Sequence, residues 1–117
     1  MEKDFSSLGI SEELISALKK QGVTKPTDVQ QAAIGVILEK KDAIVRAETG
    51  SGKTLTYLLP IFMNIDLSLR SAQCIVLTPT HELAVQVYKQ AELLAENSGM
   101  DIRSALIIGN AGMARQI

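Results

Sequence analysis

Hydrophobic positions along the chain repeat with two periods. From Glu12 to Gln21, Leu14, Ile15 and Leu18 share one face at helical spacing, with Ser11 at the N-cap and Gly22 ending the run. Thr27 opens a second helical run to Glu39, in which Val29, Ala33, Val36 and Ile37 are the apolar positions. Pro26 biases Lys25 away from helix and so separates the two runs. A third helix is expected from Lys53 to Ile65, with Pro60 inside it as a kink or looser turn. A fourth is expected from Glu82 to Asn97, with Leu83, Val87, Leu94 and Ala95 inward and Ser98-Gly99 as its stop. Three short apolar runs, Ala43 to Ala47, Gln73 to Thr78 and Ile102 to Ile108, read as strands. The second is almost continuously apolar, which predicts burial on both faces, as in a parallel sheet. Residues 111–117 open a further helical pattern.

The order is β-α-β-α-β after a helical preface. Strands alternating with helices predict an α/β fold, a parallel sheet with right-handed crossovers and flanking helices. Residues 1–42 then form a helical region and residues 43–117 the sheet-forming part.

Composition adds exclusions. Of 117 residues, 46% are hydrophobic and 21% charged, an ordinary globular balance. A net charge of -1 gives no electrostatic footprint for nucleic acid, so any such partner must be argued from motifs. The one cysteine, Cys74, excludes an intrachain disulfide and reads as a small buried hydrophobe. One histidine, His81, and one cysteine exclude a structural zinc site. The N-terminus lacks a signal-peptide pattern, and the longest uncharged run, Thr54 to Ile65, is too short to span a bilayer. The expectation is a cytoplasmic protein with no membrane partner.

The segment with specific chemistry is Ala47-Glu48-Thr49-Gly50-Ser51-Gly52-Lys53-Thr54. It matches the P-loop pattern except at its first position, where Ala47 replaces Gly, and it joins a strand to a helix. Gly50 and Gly52 allow the backbone to turn several N–H groups toward one phosphate. The helix start adds its positive end. Lys53 then reaches the β- and γ-phosphates and the Thr54 hydroxyl ligates Mg²⁺. Such a loop serves kinases, GTPases, motors and helicases alike.

Further stretches narrow that choice. Gly22-Val23-Thr24-Lys25-Pro26-Thr27-Asp28-Val29-Gln30 resembles the Q motif of DEAD-box RNA helicases, with Phe5 placed 17 residues before Gly22 as the isolated aromatic of that family. Pro79-Thr80-His81-Glu82-Leu83-Ala84 resembles motif Ia, with His81 in place of the usual Arg, and Gly109-Asn110 falls where the family has a Gly-Gly pair. The order and spacing agree along the whole chain. The resemblance implies ATP and Mg²⁺ as cofactors and a RecA-like ATP-binding domain, here its truncated front half. Gln30 would read the adenine edge through its amide, which both donates and accepts. Thr27 and Gln30 also form a capping-box pair, and both roles are compatible. Lys25 and Thr27 would add contacts around the base. Val23 stands where the family has an aromatic and forgoes a stacking contact worth roughly 1 kcal/mol. Phe5 fits equally as a core anchor for the first helix.

By the same resemblance, Pro79, Thr80, His81 and Gly109 would contact the RNA backbone without reading sequence. An imidazole, mostly uncharged at neutral pH, makes a weaker phosphate contact than Arg. Read alone, Thr80 is a helix N-cap and Gly109 a strand end. The sequence contains no Asp-Glu-Ala-Asp and no Ser-Ala-Thr motif, and no second domain with arginine fingers. Phosphoryl transfer needs those groups. This chain alone is therefore expected to lack ATPase and unwinding activity, to miss the remainder of the helicase core, and to self-associate through unpaired strand edges. Two other classes stay open: another P-loop enzyme, such as a DNA helicase or nucleotide kinase, and a non-catalytic module that binds nucleotide or a partner protein.

Overall fold

In the computed structural model, residues 4–46 and 52–108 are described. They contain α1 (Glu12–Lys20), α2 (Asp28–Leu38), α3 (Lys53–Asn64) and α4 (His81–Ser98). Each helix begins and ends for a local reason. Ser11 occupies the N-cap of α1 without a side-chain bond, and Glu12 and Glu13 in the first turn and Lys19 and Lys20 in the last complement the helix dipole. Gly22, at φ 80°, turns the chain left-handed after α1. Gly22 N–H then donates to Lys19 O and Val23 N–H to Leu18 O, so the last carbonyls are satisfied. The same device ends α2, where Lys40 holds the left-handed position at φ 63° although it is not glycine. There Lys40 N–H bonds Ile37 O and Lys41 N–H bonds Val36 O. Pro60 lies inside α3 and does not end it.

The helices pack as two pairs, α1 on α4 and α2 on α3. One apolar cluster joins them, including Phe5, Leu14, Leu18, Ile34, Leu59 and Leu94. The last five are 0% exposed, and burying each contributes about 1.5–3 kcal/mol. Lys20 Nζ donates to Asn97 O across the α1–α4 pair, adding a cation at the C-terminal end of α4. The inward face of α2 is Gln30, Ala33 and Ile34, whereas Val36 is exposed. The buried polar Gln30 explains the shift, because it extends that face toward α3.

The expected sheet is not seen among the described residues. Segments 43–46, 73–78 and 102–108 carry no strand assignment. Burial alternates from Asp101 to Ile108, odd positions exposed and even positions half-buried, which retains the period of a strand. Residues 73–78 do not lie in a doubly covered layer: Ile75 is 81% exposed, Leu77 is 89% exposed, and Cys74 is exposed and not a buried hydrophobe. Ile44 is 95% exposed. A parallel strand is buried only when other elements cover both its faces. Instead, a cavity of about 880 Å³ opens between α3, α4 and the segments 73–78 and 101–107, lined in part by Phe62, Val87 and Ala91. Reciprocal bonds close the loop before it: Gln73 Oε1 accepts from Asp66 N–H and Gln73 Nε2 donates to Asp66 O.

Candidate nucleotide site

The α2–α3 contact brings the two sequence motifs together. Thr27 and Gln30 form the expected capping box: Thr27 N–H donates to Gln30 Oε1 at 2.9 Å and Gln30 N–H to Thr27 Oγ1 at 3.4 Å. The cap consumes only the oxygen end of the Gln30 amide. Its nitrogen end crosses to α3, where Nε2 donates to Gly52 O at 3.2 Å. Gln30 is 1% exposed. An amide carries two donor hydrogens and two acceptor lone pairs, and these bonds use one of each.

Gly52 is the N-cap of α3 at φ 91°. A Cβ there would collide with Gln30 Nε2 and stand 3.1 Å from Thr27 Oγ1. Only glycine meets both demands, the left-handed turn and the close approach. Its carbonyl accepts from Thr56 N–H at 3.3 Å and from Thr56 Oγ1 at 3.0 Å. Thr56 is 2% exposed.

Lys53 is exposed and Thr54 half-buried on the first turn of α3. The first N–H groups of any helix lack intrahelical partners and lie at its positive end, which suits an anion. The Tyr57 phenol, half-buried one turn on, is pushed above its usual value by burial, with a hydrogen bond to the Thr54 side chain pulling the other way. Thr56 and Tyr57 are the contributors that sequence reasoning missed. The signal for Thr56 was the i−4 spacing to Gly52, at which threonine hydroxyls bond back to a carbonyl. A hydroxyl, a primary amine and open N–H groups at one helix start fit a magnesium-bound polyphosphate.

The other expected residues lie as follows. Val23 packs half-buried against the core as the residue closing the α1 cap, and Phe5 is a core residue at 2% exposure. Lys25 is exposed, and Pro26, buried beside it, accepts from Gln31 Nε2 through its carbonyl. Pro79, Thr80 and His81 are exposed at the start of α4, where Thr80 Oγ1 accepts from Leu83 N–H at 3.1 Å. Ala47, Glu48, Thr49, Gly50, Ser51 and Gly109 lie outside the described residues. Among those described, no group of three or more metal-ligating side chains occurs, and no helix is long and apolar enough to cross a membrane.

Known proteins resemble this chain in sequence and fold. The chain is 40% identical over 113 residues to the ATP-dependent RNA helicase CshA of Limosilactobacillus reuteri, covering 97% of this chain and 22% of that protein. A crystal structure of a DEAD box protein from the hyperthermophile Methanococcus jannaschii superposes with TM-score 0.88 at 33% identity, covering 99% of this chain and 32% of that one. Saccharomyces cerevisiae Dbp5, bound to RNA and ADP BeF3, superposes with TM-score 0.75 at 27% identity over 81% of this chain and 25% of that one. The chain thus spans about a quarter or less of the relatives it matches in sequence. The profile of the DEAD/DEAH box helicases matches residues 27–117, from the Thr27 cap through α3 and α4, and the chain belongs to that family.

Proposed function

We propose that this chain is the ATP-binding portion of an ATP-dependent RNA helicase, in which adenine is read by Gln30 and phosphate is held at the start of α3. The observation that carries this reading is the bond from Gln30 Nε2 to Gly52 O. It supports the reading because the Gln30 amide, which would read the base, touches the N-cap of α3, where phosphate would be held. The two protein bonds also fix which end of the amide is which. Oxygen faces Thr27 N–H and nitrogen faces a carbonyl, so the amide would offer its second acceptor to adenine N6 and its second donor to N7.

Gly52, Lys53 and Thr54 would hold the phosphates and Mg²⁺, with Ala47 to Ser51 completing the loop. When bound, Mg²⁺ neutralises charge on the β- and γ-oxygens. Lys53, exposed on the first turn of α3, would supply a cation and Thr54 a hydroxyl. Lys25 and Thr27 border the base. RNA is the proposed partner, gripped by its backbone at Pro79, Thr80, His81 and Gly109. The relatives support this: CshA is an ATP-dependent RNA helicase, and Dbp5 is bound to RNA and ADP BeF3. The parallel RecA-like sheet would form from segments 43–46, 73–78 and 102–108 together with further strands of the helicase core.

Thermal unfolding with Mg²⁺ plus ADP, against Mg²⁺ plus GDP and Mg²⁺ alone, tests the site. A ligand that binds only the folded chain raises its stability as RT ln(1 + [L]/Kd). A rise with ADP and none with GDP is expected. Equal rises would remove the adenine-reading role of Gln30, and no rise with either would remove the nucleotide site.

A further inference from the structure

Gly52 O is the acceptor for three donors: Thr56 N–H at 3.3 Å, Thr56 Oγ1 at 3.0 Å and Gln30 Nε2 at 3.2 Å. A carbonyl has two lone pairs, so this one is saturated. The carbonyl belongs to the Gly52–Lys53 peptide unit, and no cis bond occurs among the described residues. In a planar trans peptide the C=O and N–H point in opposite directions, so whatever orients Gly52 O also orients Lys53 N–H. Gly52 O points down α3 toward Thr56. Lys53 N–H therefore points out of the helix start, toward the proposed phosphate position. Glycine, at φ 91°, would otherwise leave this peptide unit the freest on the path from loop to helix.

We propose that Thr56 is a positioning residue: with Gln30 it grips Gly52 O and so holds the Lys53 N–H aimed at the phosphates of a bound nucleotide. The inference rests on the nucleotide-binding reading above and extends it to a residue outside the phosphate-loop pattern. The Thr56 hydroxyl is buried, and a buried hydroxyl is costly unless bonded, so its bond to Gly52 O persists. Donors on a carbonyl also polarise its amide and strengthen the N–H as a donor. Gln30 touches the same oxygen, so base recognition and phosphate recognition meet on one peptide unit.

The test is calorimetric titration of the 117-residue chain with ADP and AMP in Mg²⁺, using Thr56→Val and Thr56→Ser. Valine keeps the shape and loses the hydroxyl, and serine keeps the hydroxyl. Expected is a roughly threefold to tenfold loss of ADP affinity in Thr56→Val, the worth of one hydrogen bond. AMP, which lacks the β-phosphate, should lose much less, and Thr56→Ser should bind ADP as wild type does. Unchanged ADP binding in Thr56→Val overturns the inference, and so does an equal loss of ADP and AMP affinity in both variants, which marks a packing role. If Thr56→Val does not unfold cooperatively, Thr56→Ser decides: wild-type ADP affinity supports the inference and weakened ADP binding overturns it. A wild-type chain that binds no ADP overturns the nucleotide reading and this inference together, whereas ADP binding indifferent to Thr56 overturns the inference alone.

Discussion

Gln30 and Gly52, 22 residues apart, share a hydrogen bond of 3.2 Å that joins the start of α2 to the start of α3. The bond exists because Gly52 has no side chain. A methyl at that position would occupy the space of Gln30 Nε2. The end of a flexible side chain can usually move aside, but here Gln30 is buried and bonded at both ends. Gly52→Ala therefore has to break the Gln30–Gly52 bond and also hold alanine at φ 91°. We expect a loss of about 2–4 kcal/mol in urea unfolding. In the double variant with Gln30→Ala the two losses should fall short of additive, because the collision partner is gone. Strict additivity would show that the two residues are not coupled.

Thr27 acts on the same amide from the other side. Thr27→Val removes the oxygen that accepts Gln30 N–H, and should cost about 1 kcal/mol, while Thr27→Ser should restore it. Thr27→Val leaves Thr27 N–H and Gly52 O on the Gln30 side-chain amide, so if Gln30 reads adenine the difference between ADP and GDP binding should persist. A narrowed difference would show that the hydroxyl cap, and not these two bonds, orients the amide.

The helices and the Thr27–Gln30 cap were legible in the sequence, and the exposure of residues 73–78 was not. Helix starts carry their own chemistry: Thr27, Gly52 and Thr80 each act within three or four residues of themselves. The Thr27–Gln30 box is a four-residue pattern. The Gln30–Gly52 contact was not readable by spacing, because it depends on how α2 lies against α3. Residues 73–78 were read as doubly buried from their apolar run. Composition reports what a segment would bury, whereas burial needs neighbours, and the described residues do not provide them.

The α1–α4 pair sets the stability of the helical layer. Leu94 is 0% exposed within the common cluster, so Leu94→Ala should cost about 2–5 kcal/mol in urea unfolding. Lys20→Met removes only the exposed bond to Asn97 O and should cost under about 1 kcal/mol. A larger loss from Lys20→Met than from Leu94→Ala would mean that the pair is held by the polar link and not by its apolar seam.

Asp66 gives the loop after α3 a pH dependence of known sign. The Ser68 hydroxyl, and then the Ser68 N–H, hold its carboxyl below the ordinary value of 3.8. The folded chain thus binds that proton less readily than the unfolded chain. The stabilisation is complete above 3.8 and is lost as pH falls through the lowered folded value. An NMR titration of the Asp66 carboxyl should show a midpoint below 3.8, and Ser68→Ala should move it up. A midpoint at or above that value would show that the loop bonds are absent in solution.

Cys74 reports on the unpaired segment. It is exposed beside Ile75 and Leu77, and the surrounding protein desolvates its sulfur enough to raise the thiol above 9.0. A disulfide reagent reacts with the thiolate, so labelling of the native chain should be slow near neutral pH and quicken as pH rises. With the raised thiol allowed for, its rate should approach that of the urea-denatured chain. Strong protection would place residues 73–78 inside a paired sheet, and dilution then identifies the partner. Protection that persists at low concentration assigns the pairing to the chain itself. Protection that is lost on dilution assigns it to a second copy, because an exposed apolar strand is a template for another edge. In that case Leu77→Lys should abolish both the protection and the association, since a charge at an edge blocks such pairing.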